Sequence, residues 1–170
     1  MAQLLIITGS MGAGKTSVLA EASDILSLRG ITHAAIDVDA LSLCHLPTTS
    51  SDSVMYENLR SVCKNYAVLG VQRFLLARAL ENRPDLNLSR EIVSATDTAV
   101  CRLTASIQEM QRRVKVREGG LLEQRYLNRV AELNSILDRA QLEDFAIVNE
   151  GRPITDVALE ALVKAGWISE

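Results

Sequence analysis

Short apolar runs alternate along the chain with longer segments that have helical periodicity. Five apolar runs are predicted to be strands, at 4–8, 34–38, 71–77, 98–103 and 145–148. Helical patterns fill the intervals, and the predicted helices cover 16–29, 53–69, 84–95, 106–118, 121–141 and 154–165. Strands that alternate with helices in this way are typical of a parallel sheet covered by helices. With neither a linker nor a repeat to divide it, the pattern predicts a single α/β domain over residues 1–170.

A phosphate-binding motif follows the first predicted strand. Residues 9–16 read GSMGAGKT and match the pattern G-x-x-x-x-G-K-[ST], and the first predicted helix begins directly after it. Glycines allow a tight loop whose backbone N–H groups surround phosphates at a helix N-terminus. Lys15 is expected to reach the β- and γ-phosphates, and the Thr16 hydroxyl to ligate Mg²⁺. The loop therefore predicts a bound nucleoside triphosphate that is contacted by Gly9, Ser10, Met11, Gly12, Ala13, Gly14, Lys15, Thr16 and Ser17.

Charge and composition argue against several other partners. The formal net charge is −3, from 18 basic and 21 acidic residues, so no excess of positive charge indicates a nucleic acid or a membrane surface. Aromatic residues make up only 4 %, too few for platforms on which bases would stack. The apolar runs are far shorter than the roughly 20 residues that a bilayer-spanning helix needs. We therefore expect neither nucleic acid nor membrane among the partners.

The cysteines indicate a reducing compartment. Cys44, Cys63 and Cys101 are odd in number and widely spaced, so they are predicted to be buried free thiols and not a disulfide framework. The sequence begins with a predicted strand and shows no secretory leader pattern. Together these features predict a cytoplasmic protein.

Missing motifs narrow the class of nucleotide-binding protein. Neither D-x-x-G nor N-K-x-D, which a GTPase should carry, occurs in the chain. A motor or AAA-type ATPase should carry an acidic residue at the end of a central strand, whereas the third predicted strand ends at Ala77 and is followed by Arg78. Both classes are therefore disfavoured.

Two carboxylates follow the second predicted strand. Asp37 and Asp39 lie two residues apart at its carboxyl end, where ligands bind in open parallel sheets. Both are thus expected near the γ-phosphate. One can organise the waters of Mg²⁺ while the other accepts a proton from an attacking hydroxyl, and the sequence does not decide which does which.

The combination of these features resembles the small P-loop kinases. It consists of a phosphate loop on strand one, D-x-D after strand two, a polar segment that leads into a helix, and an arginine-rich segment before the last helices. The likeness covers nearly the whole chain and extends to shikimate kinase, gluconate kinase, adenylylsulfate kinase, chloramphenicol phosphotransferase and, most closely, uncharacterised kinase-like proteins. It implies a three-layer P-loop NTPase fold, a five-stranded parallel sheet in the order 2-3-1-4-5 flanked by helices.

The resemblance also implies roles for single residues. By similarity to shikimate kinase, Asp37 would lie near Mg²⁺, Asp39 would bind the acceptor hydroxyl, and Arg60 would hold an anionic group of the substrate. The third strand departs from the pattern, because it lacks the glycine-rich or acidic ending that shikimate kinase uses to hold its substrate. The acceptor pocket is therefore not expected to be that of shikimate kinase in detail.

A basic cluster matches the lid of these kinases, whose arginines close over the phosphates. The predicted lid covers about 109–124, with Gly119 and Gly120 as its hinge, and the polar stretch around these glycines is expected to form few contacts to the core. Arg113 and Arg117 are the candidates for phosphate contact, because residues four apart share a helix face. Arg125 and Arg129 repeat that spacing and are weaker candidates. The cluster consists of Arg112, Arg113, Lys115 and Arg117.

The loop at 149–153 would lie beside the adenine ring in the resembling kinases, and Arg152 is expected to stack on the base.

The predicted function is ATP- and Mg²⁺-dependent transfer of the γ-phosphoryl group to a small hydroxylated acceptor, by a monomer or homodimer. The alternative is a binding module that hydrolyses ATP slowly or not at all. The predicted catalytic residues are Lys15, Asp37, Asp39, Arg113 and Arg117.

Overall fold

The computed structural model describes residues 1–47 and 50–169. Every predicted strand and helix is present, and most bounds differ from the prediction by one to three residues. A short 3₁₀ helix at Asp39–Ser42 was not predicted. In chain order, the strands and α-helices are β1 (Ala2–Thr8), α1 (Lys15–Leu28), β2 (Ala34–Asp37), α2 (Ser51–Val68), β3 (Arg73–Ala77), α3 (Arg83–Val93), β4 (Ala95–Thr104), α4 (Ile107–Arg117), α5 (Glu123–Ala140), β5 (Phe145–Val148) and α6 (Ile154–Lys164).

The five strands form one parallel sheet in the order β2-β3-β1-β4-β5, so the predicted fold is confirmed. The central strand β1 pairs with β3 through Leu5 opposite Leu75 and with β4 through Ile7 opposite Cys101. β4 begins three residues earlier than predicted, because Ser94 adopts a left-handed conformation (φ 55°) and turns the chain directly from α3 into the strand.

Both faces of the sheet are buried, as the apolar runs predict. Alternate residues of β1 face opposite sides, since successive strand side chains point in opposite directions. Leu5 and Ile7 pack on the side of α1, α4, α5 and α6, whereas Leu4 and Ile6 pack on the side of α2 and α3. In the described part of the chain, no helix is both long and apolar enough to cross a bilayer.

The prediction of three buried thiols is correct for two of them. Cys63 and Cys101 are buried, and burial raises the pKa of their thiols to about 11 and about 12 respectively. Cys44 is exposed, because the chain leaves the sheet after the 3₁₀ helix and runs over the surface there. No disulfide joins these three residues.

Candidate active site

The loop between β1 and α1 is tight and is enclosed by other elements. Gly12 and Gly14 have positive φ angles of 77° and 95°, which L-residues with side chains rarely adopt. A Cβ atom at Gly12 would overlap the carbonyl group of Met110, and one at Gly14 would overlap the side-chain amide of Asn149. The glycines of the motif are therefore required both by backbone conformation and by the close packing of α4 and of the segment after β5.

A cavity of about 280 Å³ lies against this loop at the carboxyl end of the sheet. Six of the nine predicted loop residues line it. Gly9, Ser10 and Ala13 do not, because the Ser10 hydroxyl is buried and donates to the carbonyl of Val130 on α5, and the Ala13 side chain is fully buried. The lining residues are Met11, Gly12, Gly14, Lys15, Thr16, Ser17, Asp37, Asp39, Ala40, Leu43 and Arg117. We call it the phosphate cavity.

Lys15 is the first residue of α1, and its ammonium group folds back over the loop. Its Nζ donates to the carbonyls of Gly9 and Ser10, at 3.0 Å each. Burial lowers the pKa of Lys15, and the carboxylates of Asp39 and Asp37 oppose that shift because they favour the charged form.

The structure brings the two predicted carboxylates to the phosphate cavity. Asp37 is the last residue of β2, and its Oδ2 accepts a hydrogen bond of 2.7 Å from the Thr16 hydroxyl. Asp39 opens the 3₁₀ helix and also lines the cavity. The hydroxyl and carboxylate oxygens at Thr16 and Asp37 form the kind of small, hard-oxygen site that Mg²⁺ takes together with phosphate oxygens and water.

Arg78 is a residue of this site that the sequence analysis did not select. It follows β3 directly, and its Nη1 donates to the Oδ1 of Asp39 at 2.9 Å. A signal for it was present, because an arginine stands where other nucleotide-binding classes carry an acid. The absence of a carboxylate at this position disfavours the other classes, but it does not by itself indicate a role for the arginine.

Arg113 and Arg117, the lid arginines that are predicted to contact phosphate, lie in different places. Arg117 lines the phosphate cavity and pairs with Glu118 at 2.7 Å. Arg113 does not line it. Its guanidinium donates to the carbonyls of Gly12 (3.2 Å) and Asn149 (2.7 Å) and to Glu109 (2.8 Å). Hydrogen bonds from Arg112 and Arg113 lower the pKa of Glu109 to about 2.

A second cavity, of about 410 Å³, adjoins the loop on the side of β5, and we call it the base-side cavity. Arg152, which is predicted to stack on the base, lines this cavity, and its guanidinium is paired with Glu160 at 2.7 Å. Asn149, which the sequence analysis missed, is buried and donates from Nδ2 to the Ala13 carbonyl at 2.8 Å. Its position directly after the last strand was the available signal. The lining residues are Gly14, Ser17, Arg113, Asn149, Arg152 and Ile154.

The first half of the predicted lid is packed against the core. Met110 and Val114 are buried at 1 % exposure each, so α4 is packed against the core over 107–117. Beyond α4 the chain is exposed, with Leu121 fully accessible and Leu122 at 47 % exposure. Within the predicted lid, the residues from the end of α4 onwards are therefore the ones least held by the core.

Arg60 is not brought to the site. It lies on α2, pairs with Glu91 of α3 at 3.7 Å, and lines neither the phosphate cavity nor the base-side cavity. The role that the resemblance implies for it is not supported by this placement.

A third cavity, of about 1040 Å³, meets the phosphate cavity at Met11 and along the segment that contains Leu43 and Cys44. We call it the acceptor-side cavity. Of the weaker lid candidates, Arg125 lines it without a salt-bridge partner among the described residues, whereas Arg129 lines it while paired with Glu81 and Glu132, at 2.8 Å each. The lining residues are Met11, Cys44, Leu122, Arg125, Tyr126, Asn128, Arg129 and Glu132.

Comparison with known proteins gives structural matches only. No protein-family model and no curated protein matches the sequence. A gluconokinase from Sinorhizobium meliloti 1021 is 20 % identical, with a TM-score of 0.63 over 96 % of this chain and 91 % of that one. An APS kinase from Mycobacterium tuberculosis in complex with AMPPNP and APS is 20 % identical, with a TM-score of 0.63 over 96 % of each chain.

A third match is more distant in sequence but spans the full length. Shikimate kinase from Acinetobacter baumannii in complex with shikimate is 14 % identical, with a TM-score of 0.58 over 100 % of this chain and 96 % of that one. At these identities the likeness establishes the fold. The chain has the P-loop NTPase fold in the form that small-molecule P-loop kinases share.

Proposed function

We propose that the protein transfers the γ-phosphoryl group of ATP to a hydroxyl of a small-molecule acceptor. The observation that carries this proposal is the convergence of five groups on the phosphate cavity. These groups are the Lys15 ammonium, the Thr16–Asp37 pair, the Asp39 carboxylate and the Arg117 guanidinium. Positive groups that neutralise phosphate, oxygen ligands for Mg²⁺ and a carboxylate that can accept a proton are what phosphoryl transfer requires.

The two aspartates take different roles in this proposal. Asp37 is bonded to the Thr16 hydroxyl, so this pair would hold Mg²⁺. The bound ion would supply positive charge beside the β- and γ-phosphate oxygens. Asp39 is more than half exposed at the same cavity, and we assign to it acceptance of the proton from the acceptor hydroxyl.

The transfer step balances with these groups. The acceptor oxygen forms a bond to the γ-phosphorus while the bond from that phosphorus to the β,γ-bridging oxygen breaks, and ADP is the leaving group. The acceptor proton passes to the carboxylate of Asp39. Lys15 and Arg117 stabilise the charge that spreads over the transferred group and the leaving oxygen.

The two flanking cavities fit the remaining parts of the substrates. The base-side cavity offers the Arg113 and Arg152 guanidinium groups for contact with a purine. The acceptor-side cavity combines apolar lining, such as Met11 and Leu122, with polar groups such as Asn128 and Arg125. The kinases that share this fold are named for small hydroxylated or nucleotide substrates, which supports an acceptor of that size.

The second candidate function is an ATP-binding module without transfer activity. It is favoured by one specific observation. Arg78 stands at the end of β3 in place of a carboxylate and pairs with the same Asp39 that the kinase mechanism uses. A carboxylate held only in a static ion pair would not accept a proton.

The metal site is tested with Asp37→Asn. Asparagine keeps the size of the side chain and can still accept from Thr16, but it loses the charge that attracts Mg²⁺. Calorimetry should show an ATP affinity about 10-fold weaker in Mg²⁺, a loss typical of altered metal sites, and no change in EDTA. Equal loss in both buffers would mean that Asp37 supports the loop and does not hold the metal.

The lid is tested by hydrogen exchange. A non-hydrolysable ATP analogue with Mg²⁺ should slow amide exchange at 117–122, because Arg117 lines the phosphate cavity and the segment after it is exposed. The buried turn around Met110 and Val114 should change little, since it is already packed. Unchanged exchange at 117–122 would show that Arg117 remains solvated when nucleotide binds.

A further inference from the structure

Arg78 is fixed between the ends of three strands. Its backbone N–H donates to the carbonyl of Ile7 in β1 at 3.1 Å, and the carbonyl of the preceding Ala77 accepts from Val38 at 3.1 Å. Ile7 is two residues before the phosphate loop, and Val38 separates the two aspartates. The arginine backbone is therefore tied to both segments that carry the proposed catalytic groups.

The guanidinium lies beneath the carboxylates. Its Nη1 donates to Asp39 (2.9 Å) and to the sulfur of Met55 (3.1 Å), and its Nη2 is 3.5 Å from Asp52. Its central carbon is 5.6 Å from the centre of the Tyr56 ring. The Arg78 side chain is 15 % exposed, whereas those of Asp39 and Asp52 are 55 % and 64 % exposed. The guanidinium is therefore packed against its neighbours, whereas the two carboxylates that pair with it face solvent.

Arg78 could either bind an anionic group of the acceptor or hold the Asp39 carboxylate, and the charges around it decide between these two roles. An arginine that binds an anionic acceptor should present to the ligand guanidinium N–H groups that are not paired with a carboxylate of the protein. Arg78 is already shared between two carboxylates, so one positive charge faces two negative ones. Its surroundings are thus matched to holding a carboxylate and not to recruiting a further anion. Because the Arg78 side chain is much less exposed than the carboxylate, we take the arginine to restrict the carboxylate and not the reverse.

We infer that Arg78 is a positioning residue that holds the Asp39 carboxylate at the phosphate cavity for proton acceptance. Its bond takes the Oδ1 of Asp39. In the part of the chain that the structure describes, the Oδ2 accepts no hydrogen bond, and it is left for the acceptor hydroxyl. The inference rests on the proposed function, because it assigns Arg78 no role except through Asp39. Under this inference the Arg78–Asp39 ion pair, which favoured a binding module, is instead part of the catalytic arrangement.

A double-mutant cycle tests this dependence without knowledge of the acceptor. The probe is single-turnover hydrolysis of γ-³²P-ATP with Mg²⁺, in which water takes the place of the acceptor. Arg78→Met, Asp39→Asn and the double variant are compared with the wild type. We expect Arg78→Met to slow phosphate release about 10-fold alone and less than 2-fold in the Asp39→Asn background, since coupled residues are non-additive. Arg78→Lys should recover most of the rate, because an ammonium can also pair with Asp39.

Two controls separate positioning from general damage. MgATP affinity should stay within about 2-fold in every variant, which shows that the phosphate loop is intact and the chain folded. Arg73→Met provides a matched substitution at the opposite end of β3, where the arginine donates to Gln3 at 3.0 Å, and it should not alter the rate.

The outcomes distinguish the inference from the proposed function. Equal slowing by Arg78→Met in both backgrounds, or a lost MgATP affinity, would overturn the inference and leave phosphoryl transfer intact. A wild-type protein that binds MgATP, releases no phosphate and transfers label to none of the acceptors tested would overturn the proposed function and the inference with it.

Discussion

Replacing Lys15 with alanine should lower phosphoryl transfer by about 100- to 1,000-fold, the loss seen when one preorganised charge-stabilising group is removed. The ammonium lies over the loop and bonds only its carbonyls, so the substitution removes the positive charge nearest to the phosphates. Affinity for MgATP should also weaken by about 10-fold or more, because charge-assisted hydrogen bonds are lost. Calorimetry with MgATP and the rate of ADP formation measure both effects.

The matched control is Lys64→Ala, which removes an exposed lysine from α2. Its affinity and rate should equal those of the wild type. Thermal unfolding of Lys15→Ala should also be close to normal, since the side chain has no partner in the core. Unchanged affinity and turnover in Lys15→Ala would remove the basis for a nucleotide at the loop.

Replacing Asp39 with asparagine should reduce turnover by about 100-fold or more while the affinity for MgATP changes little. Asparagine keeps the shape of the side chain but cannot accept the acceptor proton as a carboxylate does. The proposal separates Asp39 from the Thr16–Asp37 pair, so metal and nucleotide binding should survive the change. Steady-state kinetics and calorimetry on the same preparation measure the two quantities.

Asp24→Asn, an exposed change on α1, is the control for loss of one surface carboxylate. It should leave both quantities unchanged. If Asp39→Asn turned over at the wild-type rate while Asp37→Asn did not, the proton acceptor would be Asp37 and the assignment of the two aspartates would be reversed.

The phosphate loop could be predicted from the sequence because its residues are contiguous. Strand, glycine loop and helix start follow one another within 2–28, so Lys15 and Thr16 were placed without knowledge of the rest of the chain. The strand order came from the resemblance, since apolar periodicity indicates that strands exist but not which of them are neighbours.

The Arg78–Asp39 pair could not be predicted in the same way. Its partners are 39 residues apart and meet only because β2 pairs with β3 in a register that sets Asp37 opposite Ala77. Both strands are short apolar runs, and nothing in their sequences fixes that register. The sequence shows that Arg78 follows the third strand, but it does not show that Asp39 is its partner.

The lid arginines show how far helical periodicity can be used. Arg113 and Arg117 share a face of α4, as predicted, but four residues correspond to a rise of about 6 Å along a helix. The two side chains therefore reach different cavities, Arg117 the phosphate cavity and Arg113 the base-side cavity. Arg60 illustrates a further limit, because the direction that a side chain takes from α2 depends on how the helix packs.

Transfer of label from γ-³²P-ATP tests the proposed activity most directly. The protein is incubated with MgATP and with gluconate, shikimate, neutral sugars, nucleosides or aminoglycosides, and the products are separated by chromatography. We predict that label enters an organic phosphate ester with at least one class of acceptor, and that Lys15→Ala and Asp39→Asn prevent it. Tight MgATP binding with label in no acceptor and none in inorganic phosphate would contradict the proposal and identify a binding module.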